Sequence, residues 1–168
     1  MVDAGTIETV TGSVGNARSA VQMVAGAEYL RFSSLQCIDD PGTHIRQPIH
    51  AESKVAIDVG ARQLGENSPD FEVTLTLRCQ GFQEMPVDGA EAKPLFEAIV
   101  TWAGLFALQN STAEIFETLL LVDAPRLLFP AARNYLANMT RDAGYKPVIM
   151  QQVDFMALWR SRRNAAKS

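Results

Sequence analysis

The sequence predicts an α+β fold, a four-stranded antiparallel sheet followed by helices, and three observations carry that expectation. Phe71, Val73, Leu75, Leu77 and Cys79 alternate without a break against Glu72, Thr74, Thr76, Arg78 and Gln80, the period of a strand with one buried and one wet face. Three further β-patterned stretches share the first two thirds of the chain with it, whereas the strong helical patterns lie beyond residue 110. No repeat or low-complexity linker interrupts the 168 residues, so a single domain over 1–168 is expected.

Residues Met1 to Gly15, rich in Gly, Thr and Ser, read as a mobile lead-in. In Asn16 to Glu28 the residues Ala17, Ala20, Val21, Val24 and Ala27 fall at helical spacing, which predicts a short helix; an irregular strand is the alternative, because Gly26 weakens a helix. A first strand follows over Tyr29 to Ile38 and stops at Asp39-Asp-Pro-Gly42. The second runs over Ile49 to Val59, with Val55, Ile57 and Val59 on one side and Lys54 and Asp58 on the other. After the third, the stretch Leu95 to Leu108 is apolar on both parities and should touch something on both faces.

Ser111-Thr-Ala-Glu114 has the form of a capping box opening a short helix to Val122. Next comes an amphipathic helix with Leu128, Ala131, Ala132, Tyr135, Leu136 and Met139 on one face. Pro125 suits its entry, but Pro130 has no amide hydrogen to give one turn back, so the helix should start late or kink there; Gly144 offers a left-handed stop. Asp154 can cap a last helix with Phe155, Leu158 and Trp159 on its inner stripe, and 160–168 is expected to be a mobile basic tail.

Composition excludes several function classes. A net charge of −4 argues against a nucleic-acid footprint, and no apolar run is long enough to insert in a membrane. Cys37 and Cys79 read as reduced thiols of a cytoplasmic protein and neither shows metal-ligand spacing; no metal or cofactor is expected. His44 and His50 sit in a turn-rich connection away from either cysteine in sequence and read as loop residues. Adjacent Asp39 and Asp40 make no acid–base pair, and no glycine spacing cradles phosphate, so no enzyme is expected. What remains is more apolar surface than a one-sided sheet and three helices consume, surface suited to oligomer contacts or to client binding.

The run Pro125-Arg-Leu-Leu-Phe-Pro-Ala-Ala-Arg133, then Gly144-Tyr-Lys-Pro147, then Val153-Asp-Phe-Met-Ala-Leu-Trp159 resembles the protein-export chaperone family SecB in order, spacing and identity. Upstream, Phe96 to Phe106 is similar to that family's last strand, which ends in Gly-x-Phe; Ala124 and Ala131 depart from the family's usual Cys and Tyr. The resemblance implies an ATP-independent holdase that assembles as a homotetramer, a dimer of dimers, and holds unfolded precursor proteins in apolar grooves before passing them to the ATPase SecA.

Carried over residue by residue, the resemblance puts a groove strand at Val55, Ile57 and Val59 and a groove wall at Leu127, Leu128 and Phe129. The doubly apolar last strand and the small-residue helix place the oligomer interface at Ile99, Val100, Trp102, Ala132, Tyr135, Leu136 and Met139. The family's acidic SecA-facing positions correspond to Phe32, Gln36 and Ile99, all uncharged here. The alternatives are a SecB-like chaperone dedicated to the antitoxin of a toxin–antitoxin pair and a non-chaperone binding module of the same fold.

Overall fold

The computed structural model describes residues 20–168. Four long strands, β1 (Gln22–Cys37), β2 (Glu52–Gln63), β3 (Asp70–Phe82) and β4 (Phe96–Gln109), form one antiparallel sheet in the order β1-β4-β3-β2. The alternation of β3 sets its two faces: Phe71, Val73, Leu75, Leu77 and Cys79 are buried, and they pair across the ladder with Phe106, Gly104, Trp102, Val100 and Ala98 of β4. This inner face carries the helices. The apolar character of β4 on both parities resolves into an inner set buried under helix and an outer set, Ile99 and Leu105 among it, that is half-buried.

Helix α1 (Ala113–Thr118) runs through one π turn (Leu119–Asp123) directly into α2 (Ala124–Asp142). The expected late start or separate helix is therefore corrected: the chain is helical from Ala113 to Asp142 without a break. Pro125 accounts for the π turn. It has no N–H for the Leu121 carbonyl and its ring would press on that carbonyl, and the wider turn, in which the Ala124 N–H donates to Leu119 O five residues back, relieves the crowding. Pro130 lies inside α2 on its exposed side, as does Arg126, whose carbonyl it leaves without a helical donor; water can serve there.

The long helix lies across β3 and β4. Leu128 closes on Gly104, where an added Cβ would stand 2.7 Å from Leu128 Cδ2, so a residue with a side chain would push the helix off the sheet. Gly144, at φ +94°, ends α2 as expected, and Asp154 Oδ1 accepts from the Ala157 N–H at 2.9 Å to open α3 (Phe155–Ala165).

Three local expectations are corrected. The part of Asn16 to Glu28 from Gln22 onward is strand; β1 escapes a strict alternation because its register against β4 shifts between Ala25 and Glu28 and again between Leu30 and Phe32. Residues 1–19, with the lead-in and the start of that segment, lie outside the described residues. Ser111 forms no capping box: the N-cap is Thr112 and makes no side-chain cap. Residues 160–165 are helix rather than tail, and Arg162 reaches back to Asp58 at 2.8 Å.

Glu72, placed by its parity on the wet outer face, is nevertheless buried. Tyr29 donates to it at 2.5 Å, Arg62 at 2.7 Å, and Arg31 also binds it, so the three side chains roof it over. The Tyr29 hydroxyl, helped by the two guanidinium groups and against the cost of burial, holds its carboxyl down at about 2, from an ordinary 4.5. A carboxyl depressed in the folded state contributes stability above its unfolded value and loses it as pH falls toward the folded one. Stability of the native chain should therefore drop between about pH 5 and pH 2, and Glu72→Gln should flatten that limb in urea titrations at stepped pH; an unchanged limb would refute the assignment.

Candidate functional site

The helical layer is narrower than the sheet, and that mismatch creates the site. On β2, the inner residues Val55, Ile57 and Val59 pair with Cys79, Leu77 and Leu75 of β3. The β3 partners are fully buried; the β2 side chains are half-buried and pack against the core from its margin. Where the π turn and α3 approach β2, a hollow of about 280 Å³ opens, floored by Val59, Leu121, Leu158 and Trp159.

Charged groups ring the apolar floor. Trp159 Nε1 donates to Glu117 Oε1 at 3.2 Å, and the Arg163 guanidinium stands 5.1 Å from the centre of the Trp159 ring. Arg162 binds Asp58 at 2.8 Å and also donates to the backbone oxygen of Ile57. β2 is an edge strand, and this contact occupies one of its free carbonyls, which discourages a further strand from pairing there. The hollow thus joins an apolar floor to a lip of charged groups, Glu117, Arg162 and Arg163.

The sequence-assigned groove residues separate sharply. Val55, Ile57 and Val59 line one continuous strip along β2. Leu127, Leu128 and Phe129 do not form one wall, because successive helical residues point about 100° apart. Leu127 is half-exposed on the outside of α2, whereas Leu128 packs under Gly104 and Phe129 meets Phe155 edge-on at 5.8 Å, both buried in the subunit core. Leu128 and Phe129 therefore have no surface to offer a client in this arrangement. Leu121, Leu158 and Trp159 stand beside Val59 instead; the apolar stripe of α3 was visible in the sequence, but not its arrival beside β2.

The expected interface set divides in the same way. Val100, Ala132 and Leu136 are fully buried within the subunit, and Ile99 lies on the outer sheet face, opposite to Trp102, because adjacent strand residues point to opposite sides. The remaining three belong together: the Trp102 and Tyr135 rings meet at a tilt of 48° with centroids 5.9 Å apart and Met139 lies one turn along α2, all half-buried. Leu30, paired with Trp102 and exposed, extends this patch onto the inner face of β1, which α2 meets at Ser33, 3.3 Å from the Tyr135 hydroxyl, without covering Leu30.

One more feature escaped sequence reasoning. His44 is brought back to Cys37 and Asp39 by the 3₁₀ turn Pro41–Ile45, although spacing along the chain separated it from both cysteines. Burial of Cys79 on the inner face pushes its thiol up to about 12, which leaves it a packing residue.

Among the described residues no helix is long and apolar enough to cross a membrane. Compared with known proteins, residues 16–166 match the family model described as preprotein translocase subunit SecB. The protein-export protein SecB of Gluconacetobacter diazotrophicus is 33% identical over 152 residues, spanning 89% of this chain and 88% of that one. Its counterpart in Granulibacter bethesdensis is 35% identical over 142 residues, 84% of this chain and 82% of that one. Among solved structures, a SecB-like chaperone of Mycobacterium tuberculosis, in complex with a peptide from an antitoxin, superposes with a TM-score of 0.61 at 12% identity, over 78% of this chain and 90% of that one, a likeness of fold.

Proposed function

The chain belongs to the SecB family, and from that premise we propose that it is an ATP-independent holdase whose client groove runs along the inner face of β2 into the hollow under α3. The observation that carries this reading is the graded burial across one rung of the sheet: Leu75 is sealed, while its partner Val59 keeps apolar surface facing a hollow of about 280 Å³. An unfolded polypeptide exposes apolar side chains in no fixed order, so a strip that rewards burial without demanding shape suits it. Covering about 100 Å² of such surface contributes about 2.5 kcal/mol, a weak contact that gains strength when several act on one long chain.

The patch of Leu30, Trp102, Tyr135 and Met139 is the second element of the proposal. It gives the subunit a self-complementary apolar face on which copies associate toward the homotetramer, leaving the β2 groove on the opposite margin of the sheet open. The compartment is the cytoplasm, and the clients are unfolded precursor proteins. Their recipient is SecA in this reading, although the outer face offers it Phe32, Gln36 and Ile99 where carboxylates were expected. Those uncharged positions favour, as the second reading, service to one dedicated client such as an antitoxin.

Stoichiometric protein should suppress aggregation of a chemically unfolded test protein without nucleotide. Val59→Asp should raise the amount needed several-fold while leaving the circular-dichroism melting curve near that of the parent, because Val59 is only half-buried at a sheet edge. Aggregation unaffected by the parent protein would leave only a binding module of this fold. If suppression holds, calorimetric titration with the zinc-bearing tail of SecA at low salt separates the recipients: binding supports export, and its absence supports the dedicated client.

Assembly has its own test. Leu30→Arg should shift the mass measured by light scattering from tetramer toward dimer or monomer, whereas Ile99→Arg on the outer face should leave it unchanged. A parent protein that is monomeric, or an equal response to both substitutions, would contradict the assignment.

A further inference from the structure

The end of β1 gathers groups that neither the groove nor the association face uses. Cys37 is the last residue of β1, Asp39 follows in the exit, and the 3₁₀ turn swings His44 back onto them, so that one ligand atom from each lies within 4.8 Å of the other two. Their backbone is fixed, since the amides of Ile38 and Asp39 both donate to the carbonyl of Leu95, at 2.7 and 3.1 Å. The Asp39 side chain is 2% exposed and its two oxygens are differentiated. Oδ2 accepts from the hydroxyls of Thr43 at 2.7 Å and Tyr145 at 2.9 Å, while Oδ1 faces His44 Nε2 at 3.2 Å.

We propose that Cys37, Asp39 and His44 form a zinc(II) site, with a water completing the tetrahedron. A thiolate, an imidazole nitrogen and a carboxylate oxygen are a donor set suited to zinc; around one ion such atoms stand roughly 3.3–3.7 Å apart, and here the His44–Asp39 pair is at 3.2 Å with all three donor atoms within 4.8 Å of one another. The outer groups are those a metal site needs. Thr43 and Tyr145 hold the carboxylate through its other oxygen, and the Gln47 amide stands 3.4 Å from His44 Nδ1. Turned to present its oxygen, that amide accepts the Nδ1 proton and leaves the Nε2 lone pair for the ion. Cys37 is exposed, which gives the ion an entry path.

Binding would exchange the thiol proton and the His44–Asp39 hydrogen bond for three metal bonds. It would clasp the β1–β2 connection to Tyr145, which also joins that connection through the pairing of Ile49 with Tyr145 and packs its ring 4.5 Å from Phe96. The ion thus secures the loop that leads into the groove strand.

Cobalt(II) is the probe. One equivalent added to the reduced full chain should give visible bands of tetrahedral cobalt and a near-ultraviolet thiolate-to-cobalt absorption, both removed by zinc. Cys37→Ser should abolish the near-ultraviolet band and His44→Gln should weaken cobalt binding at least tenfold. Zinc should also raise the thermal midpoint of the parent and not that of Cys37→Ser. Absence of the bands in the parent at one equivalent, or a near-ultraviolet band that survives in Cys37→Ser, would overturn the site; Cys79, the other cysteine, is sealed beneath the sheet.

Discussion

Four strands need more cover than one long helix can provide, and the half-buried apolar margins of this fold follow from that shortfall. Val73, Leu75 and Leu77 of β3 and Val100 of β4 lie directly beneath α2 and its approach, with no exposed surface. Moving outward along a rung, burial fades: Leu75 gives way to Val59 on one side, and Trp102 to Leu30 on the other. The central pair supplies the stability and the margins supply the apolar area still available for binding. Widening the helical layer would improve the core and abolish both surfaces.

The two margins differ in how they are finished. At β2 the edge is guarded by Arg162, which occupies the Ile57 carbonyl and pairs with Asp58, and the hollow is lipped by Glu117 and Arg163. Such a lip keeps the strip wettable and limits strand-to-strand aggregation. At β1 the inner face presents Leu30 beside the Trp102–Tyr135 pair with little charge, apart from Glu28 accepting from Trp102 Nε1 at 3.3 Å.

How far the sequence could be read depended on whether a local rule and the tertiary structure agreed. β3 was legible because every inner residue is apolar and every outer one polar, and only Glu72 departs, buried by Tyr29, Arg31 and Arg62 from strands that local pattern cannot bring together. β1 was half-missed because two register shifts break its period, the first between Ala25 and Glu28, and Val24 and Ala27 stand at a spacing a helix would share. The groove wall at Leu127–Phe129 was read as a block, yet a helix spreads three consecutive residues over most of its circumference. Ile99 and Val100 part to opposite faces for the equivalent reason in a strand, and the meeting of His44 with Cys37 depended on a turn whose direction no spacing encodes.

In the proposed reading, clients bind at the margin of the inner face and not on the outer face. Methyl-resolved nuclear magnetic resonance, with Ile, Leu and Val labelled and an unfolded precursor added, tests it directly. Shifts and broadening are expected at Val55, Ile57, Val59, Leu121 and Leu158, with Ile99 and Leu105 on the outer face unmoved. Perturbations centred on Ile99 and Leu105, with the β2 methyls silent, would contradict it.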